Sequence, residues 1–571
     1  MKKKHGLSAA GKALSALAFI LLASCATSPL LLAPSKFSLE PWAGDSIVGT
    51  AYGRLEGKSE EASTYAWLGI PYAKPPVGDL RWQAPRPPEP WQGLRKAFHY
   101  GAKSMQRSSL TGAPVGSEDS LFLNIWRPAT GEKELPVYVW IHGGANTSGA
   151  SNAAPEYRGN ALASKANLVF VSVNYRLDVF GWFAHPALKT GDPETDSGNF
   201  GTLDLIAALR WVRENIAAFG GNPGNVTIAG ESAGALNVLT LLIAPKAKGL
   251  FHRAIVESGY TQGSKLSAAD FAEDLARGLA IQRGKANSEK KADGVLASMS
   301  KPELATWLRS ASPSELLRLS KPLKNSILSL PYPIFDGNVL PADGFAALAD
   351  PGRRANVPLM IGTNRDETKL FLMFSRQNSG GPLYQKLAQV TSDVWKAEGA
   401  DAVADAFDAQ AADHRVFLYR FDWGSLDENG KSVMGGRAGE KLGAAHGVEI
   451  SFFLQTNSVF GNILPLRIFT KANEKGRLDL QAKMGAYLSR FVRTGDPNGQ
   501  GSDAAEGLPL WSAWDASLAD PPFIVFNAGL AEARIRVERG RLTKAAILKD
   551  FENEASADWQ EKLKAFSQLL E

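Results

Sequence analysis

Residues 226–242 read VTIAGESAGALNVLTLL: a β-branched apolar run, a serine with a glycine two positions away on each side, then a long apolar tail. A serine hydroxyl is a weak nucleophile without a base beside it. It also needs hydrogen-bond donors around the oxyanion that its attack creates. Gly230-Glu231-Ser232-Ala233-Gly234 matches G-x-S-x-G, where the serine occupies a strained turn from strand to helix and bulky neighbours do not fit. In a chain with 55 glycines the five-residue pattern alone is weak, and a simple tight turn would also produce it. The apolar strand directly before it and the apolar helix directly after it are what the chemistry requires.

Upstream, WIHGGANTSG (140–149) ends a strand with Gly143, Gly144 and Ala145. Their backbone N–H groups can approach a ligand closely. Together with the Ala233 amide, directly after the serine, they could supply the oxyanion donors. A pair of turn glycines is the plain alternative.

Seven histidines are available as base. His5 falls in an N-terminal signal-like segment, His99 and His185 in loop-like surroundings, His142 in the glycine loop, and His252 at the start of a strand. The chain order serine, acid, histidine leaves His414 and His446. His414 stands in a polar helical stretch, whereas His446, in LGAAHGVEISFF, is flanked by small residues as a loop tip needs, and is favoured. For the acid, VPLMIGTNRDETKLF offers Asp366 and Glu367, which spacing does not separate.

The elements that must position these groups alternate along the chain. LPVYVWIHGG (135–144), ANLVFVSVNYR (166–176), NVTIAG (225–230), HRAIVESG (252–259), NVPLMIGT (356–363) and RVFLYRFDW (415–423) read as buried strands. TLDLIAALRWVRENIAAF (202–219) has apolar residues at three- and four-residue steps and reads as an amphipathic helix with Thr202 as N-cap. This order predicts an α/β fold with a mostly parallel central sheet and helices on both faces. Polar, helical stretches near 264–330 and 375–412 read as insertions that form the pocket walls.

The N-terminus is read separately. Lys2, Lys3, Lys4 and Lys12 precede the apolar run ALSALAFILLA (13–23). That run is too short for a bilayer span of about 20 residues and reads as an export signal, residues 1–24. LLASC matches a bacterial lipobox that would lipidate Cys25, followed by a tether over 25–38 and the catalytic domain over 39–571. Ala26 after the cysteine points to the outer membrane, facing periplasm or surface. Removing residues 1–24 leaves 59 basic against 58 acidic residues, so the basic balance belongs to the signal. No basic stripe with interleaved aromatics suggests nucleic acid. The single cysteine excludes an intrachain disulfide.

Over roughly residues 45–525 the sequence resembles the type B carboxylesterases, the α/β-hydrolase branch that includes bacterial para-nitrobenzyl-type esterases, mammalian carboxylesterases and cholinesterases. The carriers are WLGIPYAKPPVGDLRW, SEDSLFLNIW, WIHGGA, NYRLDVFGWF, FGGNPGNVTIAGESAGA, KGLFHRAIVESG, IGTNRDE, AAHGVE and RTGDPNG. The resemblance implies Ser232 as nucleophile, Glu367 as acid and His446 as base, with Gly144, Ala145 and Ala233 as oxyanion donors. It implies support for the triad from Ser258, and structural ion pairs Arg81–Glu118 and Arg176–Asp204. The implied activity is hydrolysis of small-molecule esters through an acyl-enzyme, with no metal or organic cofactor and membrane contact only through the anchor at Cys25. The alternatives are an inactive esterase-like binding module, or a lipase, amidase or carbamate hydrolase. Four departures stand out: Ser104 and Ser120 replace a disulfide, no choline-recognising tryptophan loop lies between them, Thr368 replaces the usual glycine after the acid, and Asn146 replaces an aromatic after the oxyanion loop.

Overall fold

The computed structural model describes residues 42–108, 111–262, 267–320, 332–373, 381–409, 415–460, 467–499 and 507–554. The export signal, the tether with Cys25, and His414 lie outside the described residues.

A single sheet of eleven strands organises the chain. In chain order they are β1 (Lys58–Glu60), β2 (Thr64–Pro71), β3 (Phe122–Pro128), β4 (Leu135–Ile141), β5 (Val169–Val173), β6 (Gly221–Glu231), β7 (Arg253–Glu257), β8 (Leu359–Asn364), β9 (Val416–Phe421), β10 (Pro522–Phe526) and β11 (Arg536–Arg539). Spatially they run β11-β10-β9-β8-β7-β6-β4-β5-β3-β2-β1. The stretch from β10 to β5 is parallel throughout, and antiparallel strands close both edges. Helices around the sheet include α1 (Asn160–Ala166), α2 (Phe200–Asn215), α3 (Ala233–Ile243), α4 (Ala268–Gln282), α5 (Glu289–Ala297), α6 (Lys301–Arg309), α7 (Pro313–Leu319), α8 (Gly381–Lys396), α9 (Ala402–Asp408) and α10 (Glu474–Thr494).

Every residue of β4 and β5 is buried, which is why these strands read as unbroken apolar runs. On one face Val137, Val139, Ile228, Val256 and Ile361 pack against Leu205 and Leu209 of α2 and Leu239 of α3. On the other, Trp140, Phe170, Ile255 and Met360 meet Leu162 of α1 and Met484 and Leu488 of α10. α4, α6 and α7 form a separate cluster with Phe180, Phe183 and Phe200.

α2 starts earlier than its periodicity predicts. Asn199 holds the N-cap position and Thr202 lies buried inside the helix, so Thr202 is not the cap. Tertiary contacts account for the shift. The Asn199 side chain pairs with the backbone of Ile334, accepting from its N–H at 2.8 Å and donating to its carbonyl at 2.7 Å. Gly201 lies where a Cβ would come within 2.6 Å of the Trp182 ring.

Both ion pairs implied by the resemblance are formed. Arg81 grips Glu118 with two hydrogen bonds, at 2.6 and 2.5 Å, and also donates to the Arg309 carbonyl at the end of α6 and the Ala311 carbonyl just beyond it. Arg176 donates to Asp204 from Nε at 2.8 Å and from Nη2 at 2.7 Å. At the two positions where the resemblance implies a disulfide, Ser104 Oγ lies 3.0 Å from Ser120 Oγ and 2.7 Å from the Tyr175 carbonyl oxygen. The hydroxyls satisfy each other inside the core without the covalent cross-link. Asp204 is fully buried, so Asp204→Ala strands a buried guanidinium. The expected cost is about 3–5 kcal/mol, read as a lower urea midpoint at unchanged slope.

Candidate active site

β6 ends at Glu231 and α3 begins at Ala233, leaving Ser232 alone between them with φ 59° and ψ −122°. A non-glycine residue rarely adopts such a φ, so neighbouring structure must impose it. The Ser232 N–H donates to the Glu257 carbonyl at 3.0 Å, and its own carbonyl accepts from Leu236 N–H at 3.0 Å. A Cβ at Gly234 would collide with the Ile141 carbonyl oxygen, and one at Gly230 would lie 2.6 Å from the Gly234 carbonyl carbon. Strand, turn and helix therefore meet only if both glycines lack side chains.

The loop after β4 reaches the same turn. A Cβ at Gly143 would lie 2.7 Å from the Glu231 carbonyl oxygen and 3.1 Å from Ser232 Cβ. Gly144, Ala145 and Asn146 follow with φ of 107°, 57° and 55°. The Thr147 and Ser148 amides both donate to the Gly144 carbonyl at 3.1 Å and lock the bend. Among the described residues, the Gly144, Ala145 and Ala233 amides donate to no protein acceptor. The Ala233 amide also opens α3, where the helix carries partial positive charge. Asn146 is fully buried and accepts from Asn237 Nδ2 at 3.0 Å, so an amide pair stands where the resemblance implies an aromatic. His142 supports the loop: its ring stacks on Tyr175 with centroids 4.6 Å apart, and burial pushes it down to about 4, so it is neutral.

Strand ends bring the remaining groups together. Glu367 follows β8 and is fully buried; its Oε2 lies 2.6 Å from His446 Nδ1, and its Oε1 accepts from the Asn364 N–H at 2.7 Å. Asp366 turns the other way. It accepts from Ser425 Oγ at 2.6 Å and from the Ala444 N–H at 3.0 Å, and pairs with Lys369 at 3.0 Å. Of the two adjacent acids, Glu367 alone reaches the imidazole.

The other imidazole nitrogen faces a group that the sequence reading did not single out. His446 Nε2 lies 3.1 Å from Glu231 Oε1, on the residue just before Ser232. No hydrogen bond joins Nε2 to Ser232 Oγ in this state. Such bonds are often long or misaligned without substrate and tighten when it binds. Burial by itself pushes the His446 imidazolium down, but Glu231 and then Glu367 more than reverse this and lift it to about 9. Burial lifts Glu231 to about 7, against the pull of His446. Among the described residues Ser258 makes no hydrogen bond to Ser232, Glu367 or His446; its Oγ donates to Glu449 Oε1 at 2.9 Å. Asn364 Nδ2 in turn donates to Glu449 Oε2 and, at 2.8 Å, to the Ala445 carbonyl. Ser258 is linked to Glu367 and to the His446 loop only through Glu449 and then Asn364. Burial, then Glu231 and Glu367, raise the Glu449 carboxyl to about 8. The signals for these residues were short-range ones: Glu231 is an x of G-x-S-x-G, and Glu449 stands three positions after His446.

An imidazole must be neutral to accept a proton, so a base at His446 would place the acid limb of kcat/KM above the ordinary imidazole range. Glu231→Gln removes one of the carboxylate charges that hold the imidazolium, so its acid limb shifts to lower pH. A pH profile of both proteins checks this. A limb that stays in place would exclude Glu231 as a determinant.

Two of the other histidines are engaged elsewhere. His185 Nδ1 accepts from the Ala187 N–H at 3.1 Å and His252 Nδ1 from the Val226 N–H at 3.1 Å.

A family model described as "Carboxylesterase family" matches residues 44–383 and 376–528. The chain is 36% identical to the para-nitrobenzyl esterase of Bacillus subtilis (strain 168), over 79% of this chain and 90% of that protein. It is 33% identical to a liver carboxylesterase of Sus scrofa, over 85% and 91%. Among solved structures, the Geobacillus stearothermophilus carboxylesterase EST55 superposes with a TM-score of 0.64 at 32% identity, covering 86% of this chain and 97% of that one. Matches over nearly the whole length, together with a parallel sheet that ends in a serine elbow, lead to one conclusion: the chain belongs to the carboxylesterase family and is a carboxylic ester hydrolase with the α/β-hydrolase fold.

Proposed function

We propose that Ser232, His446 and Glu367 are the nucleophile, base and acid of this hydrolase, and that the Gly144, Ala145 and Ala233 amides form its oxyanion hole. The supporting observation is the position of His446, bound through Nδ1 to Glu367 while its Nε2 faces the residue that adjoins Ser232. His446 turns Nε2 from Glu231 to the Ser232 hydroxyl and takes its proton as Oγ attacks the ester carbonyl. Glu367 orients the imidazole and stabilises the imidazolium. The three amide N–H groups donate to the developing oxyanion without reorganising. His446 then passes the proton to the leaving alkoxide, and water repeats the sequence to release the acid.

A fluorophosphonate probe tests the assignment. Ser232 Oγ should displace fluoride at phosphorus, giving a single labelled peptide that contains Ser232. Failure to label the native enzyme, or labelling at another serine, would overturn it and favour an inactive esterase-like module.

We further propose that the protein is exported and anchored through a lipidated Cys25, facing periplasm or surface, on the lysine-flanked apolar run and the LLASC sequence. Two or more acyl chains suffice for stable attachment. Mass spectrometry of the mature protein should find its N-terminus at an acylated Cys25, and a start at any other residue would exclude the anchor.

A further inference from the structure

Gly144 and Ala145 lie on the loop after β4, whereas Ala233 opens α3, so three oxyanion donors would come from two segments that must be held at one distance. Ladder pairing between β4 and β6 ends at Ile141 and Gly230, short of all three. Beyond it, Ala145 and Asn146 sit side by side in the left-handed region, at φ 57° and 55°. That conformation costs energy at each residue, and it persists only where the surroundings impose it.

A side-chain link crosses the gap. Asn237 stands one helical turn after Ala233, on the same face of α3. Its Nδ2 donates to Asn146 Oδ1 at 3.0 Å, and both side chains are buried. The same amide borders the Tyr175 hydroxyl, which donates to the His142 carbonyl at 2.7 Å. The Asn146 carbonyl accepts from the Asp178 N–H at 2.7 Å. Both flanks of the Gly144–Ala145 bend are therefore held. Asn237 acts on each of them, directly at Asn146 and through Tyr175 at His142.

α3 has one other polar side chain, Thr240, whose hydroxyl bonds back to the Leu236 carbonyl of the same helix at 2.8 Å. Asn237 instead reaches outward, with its Oδ1 buried and unpaired among the described residues. An amide kept in an apolar helix with one oxygen unsatisfied costs stability, which packing does not explain. We propose that Asn237 is a positioning residue: through Asn146 it sets the Gly144 and Ala145 amides against the Ala233 amide, so that all three meet one oxygen. The proposal rests on those amides being the oxyanion hole. At 146 an asparagine in place of an aromatic exchanges a non-directional contact for a hydrogen bond, which fixes angle as well as distance.

Asn237→Leu, made in the full-length chain, keeps the number of side-chain atoms and removes the donor. Acylation and deacylation both pass through an oxyanion, so both should slow alike and leave KM nearly unchanged. For a short-chain nitrophenyl ester kcat should fall about 10- to 100-fold, up to the size that a misplacement of about 1 Å causes. A trifluoromethyl ketone reads the same hole without turnover. Ser232 Oγ bonds to its carbonyl carbon, the carbonyl π electrons move onto oxygen, and the serine proton passes to His446. Its inhibition constant should weaken by the same factor as kcat/KM. Asn146→Gly removes the link from the loop end, suits the left-handed backbone, and gives a second route should Asn237→Leu fold poorly. With both residues replaced, the loss should match the larger single loss, because one link is lost in every case.

An unchanged kcat in Asn237→Leu, a lowered kcat with ketone affinity unchanged, or single losses that multiply in the double variant would overturn the proposal and leave the pair as packing. A wild-type enzyme that the ketone does not inhibit would instead sink the oxyanion-hole assignment, an outcome seen before any variant is made.

Discussion

Ser232→Ala is expected to lower kcat/KM for a short-chain nitrophenyl ester by about 10⁴- to 10⁶-fold, the range seen when the nucleophile of a triad is removed. The fold should not change. Alanine keeps the N–H that donates to the Glu257 carbonyl and the carbonyl that accepts from Leu236, and these fix the turn. Removing only Oγ places no new atom against Gly143 or Ile141. Denaturation midpoints of the two proteins should agree closely, and any remaining turnover should come from the oxyanion donors and binding alone. Activity within tenfold of wild type would show that another residue attacks the ester.

The next largest effect is expected from Glu367→Gln, about 10⁴-fold in kcat. The Glu367 carboxylate accepts from the Asn364 N–H on Oε1 and faces His446 Nδ1 with Oε2. A glutamine can satisfy the first contact with its carbonyl, but it then presents its NH₂ to Nδ1. That favours the tautomer with the proton on Nε2, the atom that has to accept one from Ser232. Asp366→Asn is the internal comparison. Asp366 carries hydrogen bonds from Ser425 and Ala444 and the charge of buried Lys369, with no contact to the imidazole. Its replacement should cost about 1–3 kcal/mol of stability, as for a buried polar partner left unpaired, with kcat little changed. The reverse pattern, with Asp366→Asn the more damaging to kcat, would reassign the acid.

How much of this was legible in the sequence depended on how local each feature is. The buried strands showed as unbroken apolar runs because both faces of β4 to β9 are covered, so no polar alternation interrupts them. The elbow showed because its two glycines answer to contacts fixed by the strand–turn–helix itself. The start of α2 did not show: Thr202 has cap chemistry, but Asn199 is drawn to Ile334, far along the chain, and the helix begins before it reaches Thr202. Asp366 and Glu367 could not be separated for a related reason. Adjacent residues on a tight turn point in different directions, and nothing in their order says which direction holds the histidine. Glu231 and Trp395 went unnoticed as neighbours of His446 because the segments that carry them meet it only across the ends of parallel strands.

The sequence by itself determined the parallel sheet, the serine turn and the set of residues from which a triad could be drawn, since strand burial and turn sterics act over a few residues. Tertiary structure alone decided that Glu367 and not Asp366 meets His446, that a second carboxylate at 231 faces the same ring, and that Trp395 lies beside it. Each of those is a side-chain approach between segments separated by tens to hundreds of positions. It is set by the register of β6, β7 and β8 and by the packing of α8 onto their ends, which no local pattern encodes.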